Sequence, residues 1–134
     1  MRNAKRLLMS LSLSAALLTS CAQFGYQKAA APGEVEHVVL VWQKKKGDAA
    51  TRAKIIETAH TFRDIPGILS LSAGEPNPSA RPVVDSSFDV AIVIRFANKA
   101  ALDAYEKNPK HVKAVEEVIK PAVSKLVVHD YTVK

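Results

Sequence analysis

Residues 36–43 read Glu36-His37-Val38-Val39-Leu40-Val41-Trp42-Gln43, and residues 88–96 read Phe88-Asp89-Val90-Ala91-Ile92-Val93-Ile94-Arg95-Phe96. Both stretches are short and rich in β-branched and aromatic residues, the composition of β-strands. A strand with one face on the core and one in water alternates apolar with polar residues. Val38 to Trp42 and Val90 to Ile94 do not alternate. Both faces of the sheet they form therefore need cover.

Outward from these two strands the chain supplies a definite order of elements. Lys44 to Gly47 turns the chain, Asp48 is placed to cap a helix, and Ala53, Ile55, Ile56, Ala59 and Phe62 recur at helical spacing until Pro66-Gly67. A second strand is expected at Ile68 to Ala73, followed by a loop over Glu75 to Ser86 that contains Pro76, Pro78 and Pro82. The third strand is Phe88 to Phe96. Asn98 can cap a helix over Lys99 to Lys107, and Pro109 opens a second helical piece at its first turn, where proline is tolerated. His111 to Lys120 continues that piece, Pro121 perturbs it, and Leu126 to Val133 reads as the fourth strand.

The order β-α-β-β-α-β is that of a ferredoxin-like α+β fold, an antiparallel sheet with both helices on one face. No third helix is left to cover the opposite face. A second copy of the same sheet, packed face to face about a twofold axis, is the expected cover, giving a homodimer with a barrel-like core. An uncovered apolar face of that size would favour aggregation or membrane contact.

The first 20 residues have the parts of an export signal: Arg2, Lys5 and Arg6 form a basic start, Leu7 to Leu18 a short apolar core, and Thr19 and Ser20 a small-residue end. About a dozen apolar residues are too few to span roughly 30 Å of hydrocarbon as a helix. Leu18-Thr19-Ser20 immediately precedes Cys21, the only cysteine of the chain. That end resembles the lipobox of bacterial lipoproteins, which implies lipidation of Cys21 and cleavage before it. A lone cysteine also excludes an intramolecular disulfide. Ala22 in place of an aspartate implies, for a Gram-negative host, sorting to the periplasmic face of the outer membrane. The expected location is the cell envelope, with the membrane as a partner through the anchor.

Residues 21–34 carry no apolar period and include Pro32-Gly33, so they are read as the lipidated cysteine and a tether, with one domain over 35–134. Removing the leader takes three of the 19 basic residues and none of the 13 acidic ones, leaving 114 residues with a formal charge of +3. So mild an excess gives no argument for nucleic acid as a partner. Lys44-Lys45-Lys46 runs into Gly47-Asp48 as a solvated turn.

Several segments together resemble the stress-responsive A/B barrel (Dabb) domain. They are Glu36-His37-Val38-Val39-Leu40, Asp64-Ile65-Pro66-Gly67-Ile68, Phe96 before Leu102-Asp103-Ala104-Tyr105, Asn108-Pro109-Lys110-His111-Val112, and Val128-His129-Asp130-Tyr131. The resemblance covers the whole mature domain and implies a dimeric α/β barrel. The family's functions are mostly uncharacterised; its best understood type is a plant polyketide cyclase that closes a ring by aldol condensation with a tyrosine and a histidine. The positions that match are Tyr105 and His111, with His37 on the first strand as a third match.

A neutral imidazole can take a proton beside a carbonyl while a phenol donates to the oxygen that becomes an enolate. On an unbroken helix, residues six apart would sit about 120° around and about 9 Å along the axis. Pro109 interrupts the helix between Tyr105 and His111, so the break decides whether they meet. The same residues also have structural uses: a Tyr105 ring packed on the sheet, a hydrogen-bonded His111, and His37 at the barrel mouth.

His37, His60, His111 and His129 lack close metal-ligand spacing, and no nucleophile elbow, phosphate loop or dinucleotide fingerprint calls for a cofactor. His129 and Asp130, adjacent on a strand, point to opposite faces. Two classes of function stay open. One is a dimeric, lipid-anchored module that binds an apolar small molecule. The other is a cofactor-free enzyme of the cyclase, lyase or monooxygenase kind, with His111 as base and Tyr105 as its electrophilic partner. Export weighs toward the binding module, because the cyclase's polyketide intermediates arise in the cytoplasm.

Overall fold

The computed structural model describes residues 28–134; the leader, Cys21 and the start of the tether lie outside them. Strand β1 (Val35–Gln43) is followed by helix α1 (Ala49–His60), a 3-10 turn over Thr61–Asp64, and strand β2 (Ile68–Gly74). After the proline-containing loop come β3 (Val90–Phe96), α2 (Lys99–Glu106) and α3 (Pro109–Ala114). A π-helical turn over Val115–Ile119 and a last turn over Lys120–Ala122 lead into β4 (Val123–Thr132). All pairings are antiparallel, in the order β2-β3-β1-β4. This is the expected ferredoxin-like arrangement.

The two expected caps, Asp48 and Asn98, form, and Asn108 supplies a third that the sequence reading did not select. Asp48 Oδ1 accepts from the backbone N–H groups of Ala50 and Thr51, at 3.1 and 3.2 Å. Asn98 Oδ1 accepts from Ala101 N–H at 2.9 Å, and Asn108, in extended conformation, accepts from Lys110 N–H at 2.9 Å. These bonds satisfy donors that a helix start leaves without partners. Gly67 turns the chain into β2 at φ 90°, where a Cβ would stand 2.5 Å from that of Ala101.

The starts of β3 and β4 and one core position on α1 differ from the sequence reading. The third strand begins at Val90 rather than Phe88: the Phe88 ring packs edge-on to Trp42 at 6.5 Å, and Asp89 lies outside the strand although its N–H still donates to Val41 O at 2.8 Å. The buried Asp89 carboxylate instead accepts from Gln43 N–H at 2.9 Å and from Gly47 N–H at 3.1 Å, tying down the turn after β1. The fourth strand begins at Val123 rather than Leu126, because Pro121 sits inside the final helical turn and Val123 pairs with Gln43 past a bulge. On α1, Ala53 is exposed and Thr58 is buried in its place, its hydroxyl donating to Lys54 O at 2.7 Å.

The core lies between sheet and helices. Its centre is Val41, Ile55, Val90, Ile94 and Phe96, and among the described residues every buried apolar side chain falls between Val35 and Ile119. Leu102 and Tyr105 anchor α2 against it. The register sets rows across this face: His37 stands between Ile94 and Asp130, Val39 between Ile92 and Val128, and Val41 between Val90 and Leu126. The opposite face carries Val38 beside Val93, Leu40 between Ala91 and Val127, and Trp42 beside Lys125. The helices all pack on the first face, which leaves this second apolar face without a layer among the described residues.

Residues 28–34 are fastened to the domain rather than free of it. Gly33 N–H donates to Val133 O at 3.0 Å, Val133 N–H donates to Glu34 O at 2.9 Å, and Arg95 donates to Lys28 O at 3.0 Å.

Candidate functional site

The helix break at Lys107-Asn108-Pro109 brings Tyr105 and His111 together. The extended Asn108 redirects the chain, and the two rings lie 4.2 Å apart between centroids at 37°. Phe62 contacts both, edge-on, at 5.8 and 5.6 Å. His37 reaches the same cluster from β1, with its ring 6.0 Å from Tyr105 and 6.1 Å from Phe96. All three candidate residues therefore line one cavity of about 430 Å³ between the sheet and α3, within the 300–1,000 Å³ typical of small-molecule sites.

The sequence reading did not select Asp130, which lines the same cavity. Its Oδ1 lies 2.6 Å from His37 Nδ1, directly across the β1–β4 ladder. A carboxylate only accepts, so Nδ1 carries the hydrogen, and no hydrogen bond from a described residue engages Nε2. Strand parity does separate Asp130 from His129, as expected. What adjacency hid was the cross-strand partner, which depends on register.

His111 is held in a parallel way. Its Nδ1 lies 3.3 Å from Glu106 O, and a carbonyl also only accepts, so Nδ1 donates and Nε2 keeps the lone pair of the neutral ring. Burial pushes this imidazole below its ordinary value of 6.5; the Glu106 carbonyl opposes the shift, and neighbouring His37 adds to it. Burial, with a smaller contribution from the Glu106 carboxylate, pushes the Tyr105 phenol in the opposite sense, above its ordinary value. At neutral pH the cavity thus presents an unprotonated base packed at a tilt against a protonated phenol. No hydrogen bond from a described residue engages the Tyr105 hydroxyl, which leaves it free to donate to a ligand.

Apart from Glu106, the rest of the lining is apolar, with Val39, Val41, Ile92, Val115, Ile119, Leu126 and Val128 among it. Val115 and Ile119 belong to the π-helical turn, a widened turn of the kind often found beside functional sites. A second concavity, of about 470 Å³, lies at the β2 edge among Glu36, Arg63, Ser70 and Arg95. Its guanidinium groups already have partners: Arg95 donates to Glu36 Oε1 at 2.7 Å and Arg63 to Leu71 O at 3.4 Å. Among the described residues no group of three or more His, Cys, Asp or Glu side chains could hold a metal ion, and no helix is long and apolar enough to cross a membrane.

Known structures share this architecture. A Dabb-family protein of ferredoxin-like fold from Mesorhizobium loti superposes with a TM-score of 0.63 at 21% identity, over 76% of this chain and 98% of that one. A hydroxynitrile lyase from Passiflora edulis gives 0.63 at 22%, over 78% and 96%. A dimeric ferredoxin-like protein of unknown function from Jannaschia sp. CCS1 gives 0.61 at 22%, over 75% and 100%. At these identities the likeness establishes the fold alone. No curated protein matches the sequence. The stress-responsive A/B barrel domain model matches residues 35–133, nearly all of the ordered domain built above, and the chain belongs to the Dabb family.

Proposed function

We propose that this protein is an acid–base enzyme acting on a small, largely apolar carbonyl compound or its adduct, working with side chains alone as a homodimer anchored to the envelope through Cys21. The observation that carries this reading is the meeting of Tyr105 and His111, ring against ring, in the cavity that also holds His37. His111 Nε2 takes a proton from carbon beside the carbonyl, or from the hydroxyl of an adduct. The Tyr105 hydroxyl donates to the oxygen on which charge develops. His37, oriented by Asp130, offers Nε2 as a second station for the proton. Ring closure by aldol chemistry and loss of a small nucleophile from a carbonyl adduct both need this set.

The second apolar sheet face supports the dimer, since a second copy would cover Val38, Leu40, Trp42 and Val93. Structural neighbours described as dimeric are consistent with that assembly. The leader and Leu18-Thr19-Ser20-Cys21 support the anchor. A second reading, a binding module without turnover, rests on that same export signal, which separates the protein from cytoplasmic intermediates.

The two readings part in deuterium oxide. The protein from Ala22 onward, mixed with 2-heptanone, should exchange the ketone's α-hydrogens for deuterium well above the buffer rate, as followed by proton NMR, and His111→Gln should remove the excess. A ketone that binds at the cavity but exchanges at the buffer rate would sink the enzyme and leave the binding module.

A further inference from the structure

Two imidazoles face the same cavity from opposite walls. His37 stands on β1, in the sheet that floors the cavity, and His111 on α3, which lies across from it. Tyr105 comes from α2 and lies against both, its ring 6.0 Å from that of His37 and 4.2 Å from that of His111. Each imidazole is tied back through Nδ1, His37 to Asp130 at 2.6 Å and His111 to Glu106 O at 3.3 Å, so each presents Nε2. Neither Nε2 nor the Tyr105 hydroxyl is hydrogen-bonded within the described residues, and none of the three is sealed off from the space around it. What stands behind the two rings differs in charge. The charge of a protonated His37 lies against the Asp130 carboxylate. His111 has only a carbonyl behind it, and the burial around it favours its neutral form. One wall is built to give a proton and the other to take one.

We infer that the protein inverts configuration: it is a racemase or epimerase of ketones with a hydrogen on a stereogenic α-carbon, His111 and His37 working on opposite faces of one enolate. The inference rests on the acid–base reading and adds the face from which the proton returns. A planar enolate held between the sheet and α3 turns one face to each imidazole. His111 Nε2 removes the α-proton; the C–H electron pair forms the enolate double bond, and the carbonyl π pair moves to the oxygen, which the Tyr105 hydroxyl holds. His37 Nε2 then gives its proton to the far face of the same carbon, and the oxygen's pair re-forms the carbonyl. His111 is left protonated and His37 neutral. The substrate keeps its formula, and no oxidant, reductant or second substrate is consumed. The histidines regain their starting states by exchange with water, or the cycle runs backward on the other enantiomer. A base on one wall alone would return the proton to the face it left, and the configuration would stay.

The test uses 2-methyl-1-phenylbutan-1-one, a largely apolar ketone whose single α-hydrogen sits on its stereogenic carbon. Its (R) and (S) forms are incubated separately in deuterium oxide with the protein from Ala22 onward, which keeps every described residue. Chiral gas chromatography with mass detection then reads configuration and deuterium together. The opposite enantiomer should form well above the buffer rate and carry deuterium from the outset, while the remaining starting enantiomer stays largely unlabelled. His37→Gln should slow inversion about 10²-fold more than it slows deuterium uptake. Asp130→Asn, at a carboxylate that is 41% exposed, should shift that ratio the same way, and it decides the matter if His37→Gln does not fold. Deuterium uptake with configuration kept would overturn the proposal and leave the acid–base reading standing, as would exchange of 2-heptanone without action on this ketone. Absence of exchange on both ketones would remove both. A ratio unchanged in the two variants would show that His37 does not serve the second face, and would overturn the proposal as well.

Discussion

His111 and His37 are the same residue type given different settings by their partners. His111 hangs its Nδ1 on a backbone carbonyl in a partly buried place and is held below its ordinary value of 6.5, so its base form persists into mildly acid solution. The α-exchange rate should therefore rise with pH through a midpoint below 6.5 and be level by pH 7; a midpoint at or above 6.5 would show that another group is the base. His111→Gln should lower the rate by about 10²–10⁴. The same shift has a consequence for stability. Below 6.5 the unfolded chain binds the proton more readily than the folded one, so the folding free energy falls as pH drops through the folded pKa, and urea melts of His111→Gln should lose that part of the slope. His37 instead depends on Asp130. Asp130→Ala should leave the fold nearly unchanged, because the carboxylate is 41% exposed, while nitrogen NMR shows His37 losing its fixed Nδ1–H form. The exchange rate should drop by at least about tenfold. Tyr105, His111 and His37 were legible in the sequence through their motifs. Asp130 was not, because a cross-strand partner depends on the β1–β4 register, which no local pattern writes.

At the scale of elements, the breaks matter as much as the helices. The second helical segment works because Asn108 and Pro109 interrupt it, turning a six-residue separation that would point apart into two rings in contact. The sequence located that break, but its outcome depends on the angle at which α3 leaves Asn108. Gly67 is a second fixed point. Gly67→Ala would combine a left-handed backbone with a 2.5 Å approach to Ala101, and should cost about 2–4 kcal/mol in urea unfolding. Asp89 is a third. Asp89→Ala would strand the N–H groups of Gln43 and Gly47 at the end of β1 and should cost about 2–4 kcal/mol by the same measurement. Composition alone reads Phe88-Asp89 as more strand. Tertiary structure spends both residues on closing the turn beneath β1.

At the scale of the molecule, the two faces of the sheet have separate work. The helix-covered face builds core and cavity, and the other presents Val38, Leu40, Trp42, Val93 and Val127 in register. Leu40→Glu, at the centre of that second face, should raise the dimer Kd by about 100-fold or more, since a twofold axis would bury two new carboxylates against apolar partners. Light scattering at micromolar concentration should then report one chain rather than two. A mutant that stays dimeric would place the interface elsewhere. Because residues 28–34 are hydrogen-bonded to the domain, the lipid anchor proposed at Cys21 would be separated from it only by the chain from Cys21 to Lys28, at most about 25 Å when fully extended.

The sequence by itself determined the order and type of the elements, the capping residues, the two-sided strands and the three cavity residues that motifs mark. All of these follow from local chemistry: side-chain period, cap preference and proline's fixed φ. The tertiary structure alone decided the register that sets Asp130 against His37 and the burial that holds His111 unprotonated. Each is a relation between residues far apart in the chain, so it exists only once the strands have paired and the helices have closed over them.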